Sequence, residues 1–148
     1  MALSCEICER ILRFNADNPY FVAELATGYA VLGDNQTYRG YTIFIAKQCV
    51  PELHALADGV RPKFLEEMAT VAEAVFRAFQ PRKLNYEMLG NSVTHLHWHL
   101  FPRYADDPLP AWPIWNNPAF LSRPPKLDRG ELDGLRERLQ AALAGARL

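Results

Sequence analysis

The chain has 148 residues, of which 49% are hydrophobic and 22% are charged, and its formal net charge at pH 7 is −1. This length is enough for a single domain, residues 1–148, with a hydrophobic core of its own. The balanced charge excludes the broad basic surface that binds a nucleic acid polymer, and no apolar run reaches the roughly 18 residues of a membrane span.

The first half of the chain predicts a short helix, three strands and one long helix. Ser4 can cap a helix over residues 4–14, and residues 20–34 alternate in the manner of two strands joined by a turn. The apolar run at 40–47 predicts a central strand that is covered on both faces. Apolar residues recur every three or four positions over 59–79, which predicts the longest helix of the chain.

The second half predicts a β-hairpin, an arm and a final helix. The alternating residues 83–89 and the histidine-rich segment after them form the hairpin. Residues 106–148 combine a proline-rich arm, which contains Trp112 and Trp115, with a helix that a capping-box pattern begins at Asp128. We expect the arm to pack on the domain and to reach toward an active site, either that of its own chain or that of the partner subunit. About five mostly antiparallel strands with helices outside them make an α+β domain.

Three of the four histidines occupy alternate positions in HLHWHL, residues 95–100. Successive side chains of a β-strand point to opposite faces, so the three imidazoles share one face and the apolar residues between them share the other. Three imidazoles side by side are costly to bury without a ligand or partner. The row is therefore typical of a metal site or of nucleophilic catalysis on phosphorus with histidine as the attacking group.

The segment NSVTHLHWHLFPR, residues 91–103, resembles the histidine triad superfamily. The signature of that family is His-φ-His-φ-His-φ-φ, where φ is apolar, and residues 95–101 fit every position. The likeness extends from the Cys-Glu-Ile-Cys start through the central strand and the long helix, and it is closest to the bacterial branch of dinucleoside polyphosphate hydrolase-like proteins. It implies a nucleotide hydrolase or transferase that acts at the α-phosphorus, and a homodimer.

The resemblance also implies roles for residues in and around the hairpin. His97 would attack the α-phosphate to form a nucleotidyl-histidine that water then resolves, and His99 would donate hydrogen bonds to the phosphate. Ser92 matches a hydroxyl near the leaving group, and Asn91 beside it is a further candidate substrate contact. Asn85 matches an amide that contacts phosphate or leaving group. Asparagine and serine are also common in turns for structural reasons alone.

Four further residues have weaker counterparts in the family. His54 matches a histidine that lies beside the nucleophile and orients it, although it could instead be a surface histidine at a short helix. Asp34 lies where relatives place an acidic or amide residue on the ribose hydroxyls, and either of its neighbours could take that place. Ile7 and Phe14 of the first helix would help to form an apolar base pocket, or belong to the core.

Cys5 and Cys8 form a C-x-x-C pair, which supplies two thiolates but not the four ligands of a structural zinc site. Several bacterial relatives, and the galactose-1-phosphate uridylyltransferases, complete such a site with two histidines. The matching positions here are Cys49 and His95, so the resemblance implies a structural Zn²⁺ with three cysteines and one histidine. A zinc-bound His95 would lie at the edge of the active site. The alternative is three buried thiols without a metal.

These observations predict a cytoplasmic, homodimeric hydrolase whose substrate is a small nucleotide, with no membrane association. A charged amino terminus and an odd number of cysteines favour the cytoplasm. The expected reaction releases a nucleoside 5′-phosphate, with adenylate as the expected nucleotide, from a diadenosine polyphosphate or a nucleoside phosphoramidate. The alternatives are a nucleotidyl transferase or phosphorylase, a nucleotide-binding regulatory protein with little turnover, and a metalloenzyme that uses the three histidines as ligands.

Overall fold

A computed structural model describes residues 5–146, which contain five strands, four α-helices and two short 3-10 helices. The strands are β1 (Phe21–Glu24), β2 (Gly28–Leu32), β3 (Thr42–Ala46), β4 (Lys83–Glu87) and β5 (His97–Arg103). The α-helices are α1 (Glu6–Ile11), α2 (Val60–Phe79), α3 (Pro118–Ser122) and α4 (Arg129–Ala144). The 3-10 helices cover Leu53–Ala55 and Ile114–Asn116. None of the helices in residues 5–146 is long and apolar enough to cross a membrane.

The five strands form one antiparallel sheet in the order β1-β2-β3-β5-β4. The predicted α+β class and the predicted central strand are therefore confirmed, and β4 and β5 are the two strands of the predicted hairpin. The strand that carries the histidines is shorter than predicted at its start. It begins at His97, and His95 lies in the segment before it.

The two faces of β5 meet different surroundings, as the alternation predicts. Leu96 and Leu100 are buried in the main core, where the half-buried Trp98 also packs, and this core lies between the sheet and the helices α2 and α4. Phe101 belongs to a smaller aromatic cluster on the opposite face. Burial of the apolar face holds the register of β5, because a shift of one residue would move every histidine into the core.

The long helices follow their sequence signals closely. Helix α2 ends at Phe79 and is followed by Gln80 in the left-handed region (φ 48°), with a proline next in the chain. Helix α4 begins with the predicted capping box, in which Asp128 and Glu131 each bond to the other's backbone N–H.

Helix α1 is shorter than the predicted 4–14. Its N-cap is Cys5, whose sulfur accepts a hydrogen bond from the N–H of Cys8 at 3.4 Å. Ser4, the predicted cap, lies outside the described residues. The helix ends at Ile11, and Phe14 follows in a turn that closes onto the carbonyl of Ile11 at 3.0 Å.

The arm between β5 and α4 packs on the domain, as expected. Ile114 and Phe120 are buried in the aromatic cluster beside Phe101. The buried Arg103 at the end of β5 holds the arm by a salt bridge to Asp107 and by further hydrogen bonds to arm carbonyls. The arm is thus a fixed wall of the molecule on the face of the sheet that carries the histidines.

Candidate active site and metal site

His97 and His99 lie side by side on the sheet face opposite the main core, with their Nε2 atoms 3.0 Å apart. The Nδ1 atom of His97 is 2.6 Å from the carbonyl oxygen of His95. A carbonyl oxygen only accepts hydrogen bonds, so Nδ1 of His97 must carry the hydrogen and its Nε2 keeps a free lone pair. The second ring nitrogen of His97 is therefore in the form that a nucleophile requires.

This tautomer of His97 determines the hydrogen positions of its neighbours. Because Nε2 of His97 is an acceptor, Nε2 of His99 must be the donor between them, which leaves Nδ1 of His99 without hydrogen. The hydroxyl of Tyr41 lies 2.6 Å from this Nδ1 and donates to it. Tyr41 is buried, and burial raises the pKa of its hydroxyl, which keeps the proton that it donates.

Both histidines are held in the neutral form at pH 7. Burial lowers the pKa of His99 to about 4, and repulsion from His97 acts in the same direction. Burial also lowers the pKa of His97, against the hydrogen bond to the His95 carbonyl, which raises it. His97 is only 8% exposed, although its ring lines a cleft. An unprotonated imidazole is the reactive form for attack on phosphorus.

A cavity of about 310 Å³ opens on one side of the two histidines, and we refer to it as the α1 cavity. Its floor is apolar and includes Ile7 and Phe14, the two residues proposed for a base pocket. Its polar lining includes Arg10, Arg13 and Asp34. The combination of an apolar floor with charged groups at the rim suits a ligand with a flat apolar part and a polar part.

The predicted ribose contact, Asp34, lies in this cavity but is engaged by an arginine. The guanidinium of Arg10 donates to both carboxylate oxygens of Asp34, at 2.7 and 2.8 Å. Each carboxylate oxygen has a further lone pair, so the pair can still accept hydrogen bonds from a ligand. Arg10 was not predicted from the sequence, because its partner lies 24 residues away on another element.

A second cavity, of about 340 Å³, opens on the other side of the histidines, and we call it the Trp115 cavity. The segment 89–93 lines it together with Trp115, which brings the predicted residues Asn91 and Ser92 beside His97 and His99. The Trp115 ring stands nearly perpendicular to that of His99, with 5.9 Å between the ring centroids. The expectation that the arm reaches the site therefore agrees with the structure, through Trp115 of the same chain.

Two predicted residues lie away from the paired histidines. The side chain of His54 is exposed on the 3-10 helix Leu53–Ala55 and lines neither cavity, so the expected orienting role is not supported; the group beside the histidines is Tyr41. The amide oxygen of Asn85 accepts a hydrogen bond from Arg103 at 2.6 Å. This contact occupies the Asn85 amide in holding the arm, and Asn85 lines neither cavity.

His95 lies beside the cysteines and does not take part in the histidine pair. One ligand atom from each of Cys5, Cys8, Cys49 and His95 lies within 4.8 Å of the others. The Nε2 atom of His95 donates to the carbonyl oxygen of Ala46 at 2.8 Å, so Nδ1 keeps its lone pair. This Nδ1 lies 3.3 Å from the Cys5 sulfur and 3.5 Å from the Cys8 sulfur.

The chemistry of this cluster fits a structural zinc ion. Zinc with Zn–S distances of about 2.3 Å keeps its sulfur ligands about 3.8 Å apart, which the cluster reaches with small movements. Burial, followed by hydrogen bonds with Cys49 and Cys5 and by repulsion from the same two residues, raises the pKa of Cys8 to about 12. Burial also raises the pKa of Cys5, but hydrogen bonds from Cys8 and His95 outweigh it and lower the pKa to about 7. Zinc binds cysteine as the thiolate, and three sulfur donors with one imidazole nitrogen support a closed structural zinc site.

This arrangement separates the histidines into two functions. His95 belongs to the sulfur cluster, while the two remaining imidazoles bond to each other and to groups of the protein. These two imidazoles and His95 do not share a common metal position. The three histidines therefore do not form the ligand set that the metalloenzyme alternative requires. His97, whose Nε2 is unprotonated, lines both the α1 cavity and the Trp115 cavity.

Comparison with known proteins identifies similar sequences. The family model described as HIT domain matches residues 18–106. Among curated proteins, the "Protein hit" of Bacillus subtilis (strain 168) is 30% identical over 81 residues, which is 51% of this chain and 56% of that protein. The matched part of the chain thus spans little more than half the length of this curated relative.

Solved structures with the same fold come from several bacteria. A histidine triad protein from Marinobacter aquaeolei VT8 has a TM-score of 0.75 and 23% identity, with 92% of this chain and 93% of that chain covered. A histidine triad (HIT) protein from Sinorhizobium meliloti 1021 has a TM-score of 0.73 and 21% identity, with 90% and 93% covered. A Zn-bound histidine triad family protein from Mycobacterium smegmatis has a TM-score of 0.68 and 20% identity, with 95% and 94% covered. These likenesses show a shared fold.

Proposed function

Because the chain belongs to the histidine triad family, whose HIT domain covers residues 18–106, we propose that it is a nucleotide hydrolase that cleaves at the α-phosphorus of a nucleoside 5′-phosphate derivative. Its reaction runs through a nucleotidyl-histidine on His97. The observation that carries this proposal is the unprotonated Nε2 of His97, a residue that lines both cavities. One cavity then holds the nucleoside and the other holds the leaving group.

In the first step, the Nε2 lone pair of His97 attacks the α-phosphorus. A bond forms between phosphorus and Nε2, and the bond from phosphorus to the leaving oxygen or nitrogen breaks. The leaving atom keeps the bonding electron pair and takes up a proton from water in the open cleft. The carbonyl of His95 stabilises the positive charge that develops on the His97 ring, since it accepts from Nδ1 at 2.6 Å.

In the second step, water attacks the phosphorus of the intermediate. The bond to Nε2 breaks, its electron pair returns to His97, and the attacking water releases one proton to the solvent. The two steps together consume one water molecule and restore the protein. The Nε2–H group of His99, which donates toward His97 in the free protein, turns its donor to a phosphate oxygen when substrate is bound.

The α1 cavity is the place for the nucleoside. Its apolar floor, with Ile7 and Phe14, suits a flat base, and the Asp34 carboxylate at its rim suits the ribose hydroxyls. In the Trp115 cavity, Asn91 and Ser92 offer polar side chains to the leaving group. Adenylate is the nucleotide that we propose, with a diadenosine polyphosphate or a phosphoramidate as the source.

Zinc has a structural role in this proposal. When bound, it neutralises the thiolates of Cys5, Cys8 and Cys49 and leaves no ligand position open for a reacting water. It joins the start of α1 to the sheet, and α1 carries the wall of the α1 cavity. A reducing cytoplasm would keep these thiols available, and we propose that location for the protein.

We also propose that the protein is a homodimer. β4 is an edge strand of the sheet and carries Tyr86 at 49% exposure, and Phe76 on α2 is 46% exposed. A free strand edge that carries an exposed aromatic residue is a surface that tends to pair with another chain. Light scattering at micromolar concentration should give twice the chain mass, and a monomer mass would contradict the dimer.

Replacement of His97 tests the proposed reaction. His97→Asn should lower turnover of an adenylate amidate or diadenosine polyphosphate by at least about a thousandfold, because the attacking nitrogen is lost, while nucleotide still binds. His54→Asn is the matched control and should keep turnover, because that histidine is exposed outside both cavities. Near wild-type turnover by His97→Asn would overturn the mechanism.

A further inference from the structure

All the cysteines of the chain belong to the metal site. The sequence contains 3 cysteines, and the sulfurs of Cys5, Cys8 and Cys49 lie within 4.8 Å of one another and of a ring nitrogen of His95. None of the three forms a disulfide in this structure. An intramolecular disulfide in this protein can therefore form only within the metal site, where it would take two of the four zinc ligands.

The metal site is open to solvent on the side of Cys49. The side chain of Cys49 is exposed, whereas those of Cys5 and Cys8 are half-buried. A cavity of about 410 Å³, which we call the Cys49 cavity, is lined by Cys5, Cys49 and His95 but not by Cys8. A small oxidant that enters this cavity meets the sulfur of Cys49 without any movement of the protein.

The pair formed by Cys49 and Cys5 is the one best placed to be oxidised. Zinc holds cysteine as the thiolate, and an accessible thiolate next to a second thiol is the arrangement that peroxide converts to a disulfide. Cys5 is the N-cap of α1, so its side chain can move without unwinding the helix, whereas Cys8 lies within the helix. The two sulfurs must approach from at most 4.8 Å to about 2 Å.

We propose that Cys49 is a site of oxidation by hydrogen peroxide, and that the disulfide it then forms with Cys5 releases zinc and weakens nucleotide binding. The thiolate of Cys49 attacks one peroxide oxygen, the O–O bond breaks, and hydroxide leaves, so that Cys49 becomes a sulfenic acid. The thiolate of Cys5 attacks this sulfur, and the S–O bond breaks to release a second hydroxide as the disulfide forms.

The reaction balances without a further oxidant or reductant. Each of the two thiolates loses one electron, peroxide gains two, and two protons from the solvent convert the hydroxides to water. Cys8 and His95 remain as donors at the site. Two donors are too few for a closed zinc site, which needs four, so zinc is released.

Two segments connect the metal site to the nucleotide site. Helix α1 starts at Cys5 and carries Ile7 and Arg10 into the lining of the α1 cavity. The segment 92–95 contains Val93, which lines the Cys49 cavity and both cavities beside His97. Bound zinc joins α1 to this segment, so its release lets them move apart and weakens the nucleotide contacts. This regulation rests on the proposed function, because it concerns the same nucleotide site.

Peroxide treatment of the zinc-loaded wild-type protein tests the oxidation site. A colorimetric zinc chelator should report one zinc released per chain, and the intact mass should fall by two hydrogens. Tryptic digestion should join peptide 1–10 to peptide 48–63, and further cleavage after Glu6 should assign the bond to Cys5. Untreated protein with the same chelator measures zinc loss without oxidation. Dithiothreitol and added zinc should restore the starting state.

Cys49→His is the matched variant, because it keeps a zinc ligand and removes the exposed thiol. Peroxide should release its zinc at least about tenfold more slowly, since the remaining thiolates are less exposed. Its zinc content before treatment shows whether the site has formed. The peptide map of the wild type tests the disulfide even if this variant does not fold.

Binding of adenosine 5′-monophosphate, measured by calorimetry, tests the connection to the nucleotide site. Oxidation of the wild-type protein should raise the Kd by at least about fivefold, the lower end of a typical coupling between two sites. Peroxide-treated Cys49→His should keep the Kd that it has before treatment. By reciprocity, saturating nucleotide should slow the release of zinc from the wild-type protein.

The outcomes separate this inference from the proposed function. Retention of zinc, a disulfide between Cys5 and Cys8, or equally fast zinc release from Cys49→His overturns the oxidation site. Zinc release with an unchanged Kd overturns its effect on the nucleotide site. In each of these cases, turnover that depends on His97 would still support the proposed function. No nucleotide binding by the reduced, zinc-loaded protein overturns both the proposed function and its regulation, while the peptide map still decides the oxidation site.

Discussion

His95 and His97 are two residues apart, yet their imidazoles lie in opposite chemical settings. The ring of His95 bonds through Nε2 to the carbonyl of Ala46 and turns Nδ1 to the cysteines. The ring of His97 bonds through Nδ1 to the carbonyl of His95 and keeps Nε2 unprotonated beside His99. In each case a backbone carbonyl selects which nitrogen keeps its lone pair, so one short segment presents a metal ligand and a nucleophile in different tautomers.

The start of β5 explains how neighbouring residues reach different sites. Regular strand pairing with β3 begins at His97, opposite Ile45, but the alternation continues to Leu96 in the core and to His95 on the histidine face. His95 lies at the end of the row next to Cys5 and Cys8, while His97 and His99 lie further along it and line the cavities.

Loss of zinc should have the largest effect, which is a decrease in the free energy of unfolding. Cys49→Ala should lose the metal and lower the free energy of unfolding by several kcal/mol, because zinc binding to a folded site is part of the folding free energy. The kcat of the protein that remains folded should change much less, since zinc does not contact the reacting atoms. Metal analysis and urea unfolding of the same samples measure both quantities.

The matched control is Cys49→His, which replaces one zinc ligand by another and should keep the metal. Wild-type protein purified without chelator should contain close to one zinc per chain. Well under half an equivalent in that protein, or full zinc content in Cys49→Ala, would remove this metal site from the account.

Acid should lower the free energy of unfolding through protonation of His99. The pKa of His99 is about 4 in the folded protein, below its ordinary value of 6.5, because of burial and then of His97. Between pH 4 and pH 6.5 the unfolded chain binds a proton at His99 and the folded chain does not, so protonation favours the unfolded chain. His99 therefore leaves the free energy of unfolding at its full value above pH 6.5 and lowers it as the pH falls toward 4. The loss is up to about 3 kcal/mol by the linkage relation. Tyr41, Glu87 and His97 are the other titratable groups around this ring.

Urea unfolding at pH 7 and at pH 4.5 measures this loss. His99→Gln should reduce the difference between the two pH values, and His54→Gln should leave it unchanged because His54 is exposed. The same pH dependence in the wild type and in His99→Gln would show that His99 does not carry the effect.

Removal of the Tyr41 hydroxyl should have the smallest effect. Tyr41→Phe removes the donor to Nδ1 of His99, so His99 can take the other tautomer and stop donating through Nε2. We expect kcat to fall roughly tenfold, the size of one lost hydrogen bond, with KM and zinc content unchanged. The acid limb of the kcat–pH profile should also move to higher pH, because protonation of Nδ1 no longer competes with the tyrosine donor. An unchanged profile together with wild-type kcat would show that Tyr41 is not a positioning residue.

Much of the fold follows from local patterns in the sequence. The three- and four-residue spacing over 59–79 gave the bounds of α2 to within one residue, and the capping box at Asp128 gave the start of α4. The alternation in 95–100 separated the histidines from the core residues between them. These patterns succeed because they depend on backbone geometry within one element.

The rest of the site depends on contacts between elements, which no local pattern reports. Tyr41 meets His99 across 58 residues because β3 and β5 pair in one particular register, and Arg10 meets Asp34 across 24 residues. A tyrosine at the start of an apolar strand looks like a core residue in the sequence. His54 was predicted to orient the nucleophile, but its side chain is exposed on a 3-10 helix.

The central claim is that His97, through Nε2, carries the nucleotide during the reaction. The direct measurement is to stop the reaction of the wild-type protein with an adenylate substrate within its first turnover under alkaline conditions, and to locate the adenylate by peptide mass spectrometry. The account predicts one adenylate on the peptide that contains the histidine segment, with fragmentation placing it on His97, and none in His97→Asn. Adenylate on His95 or His99, or release of product with no adduct during the first turnover, would contradict it.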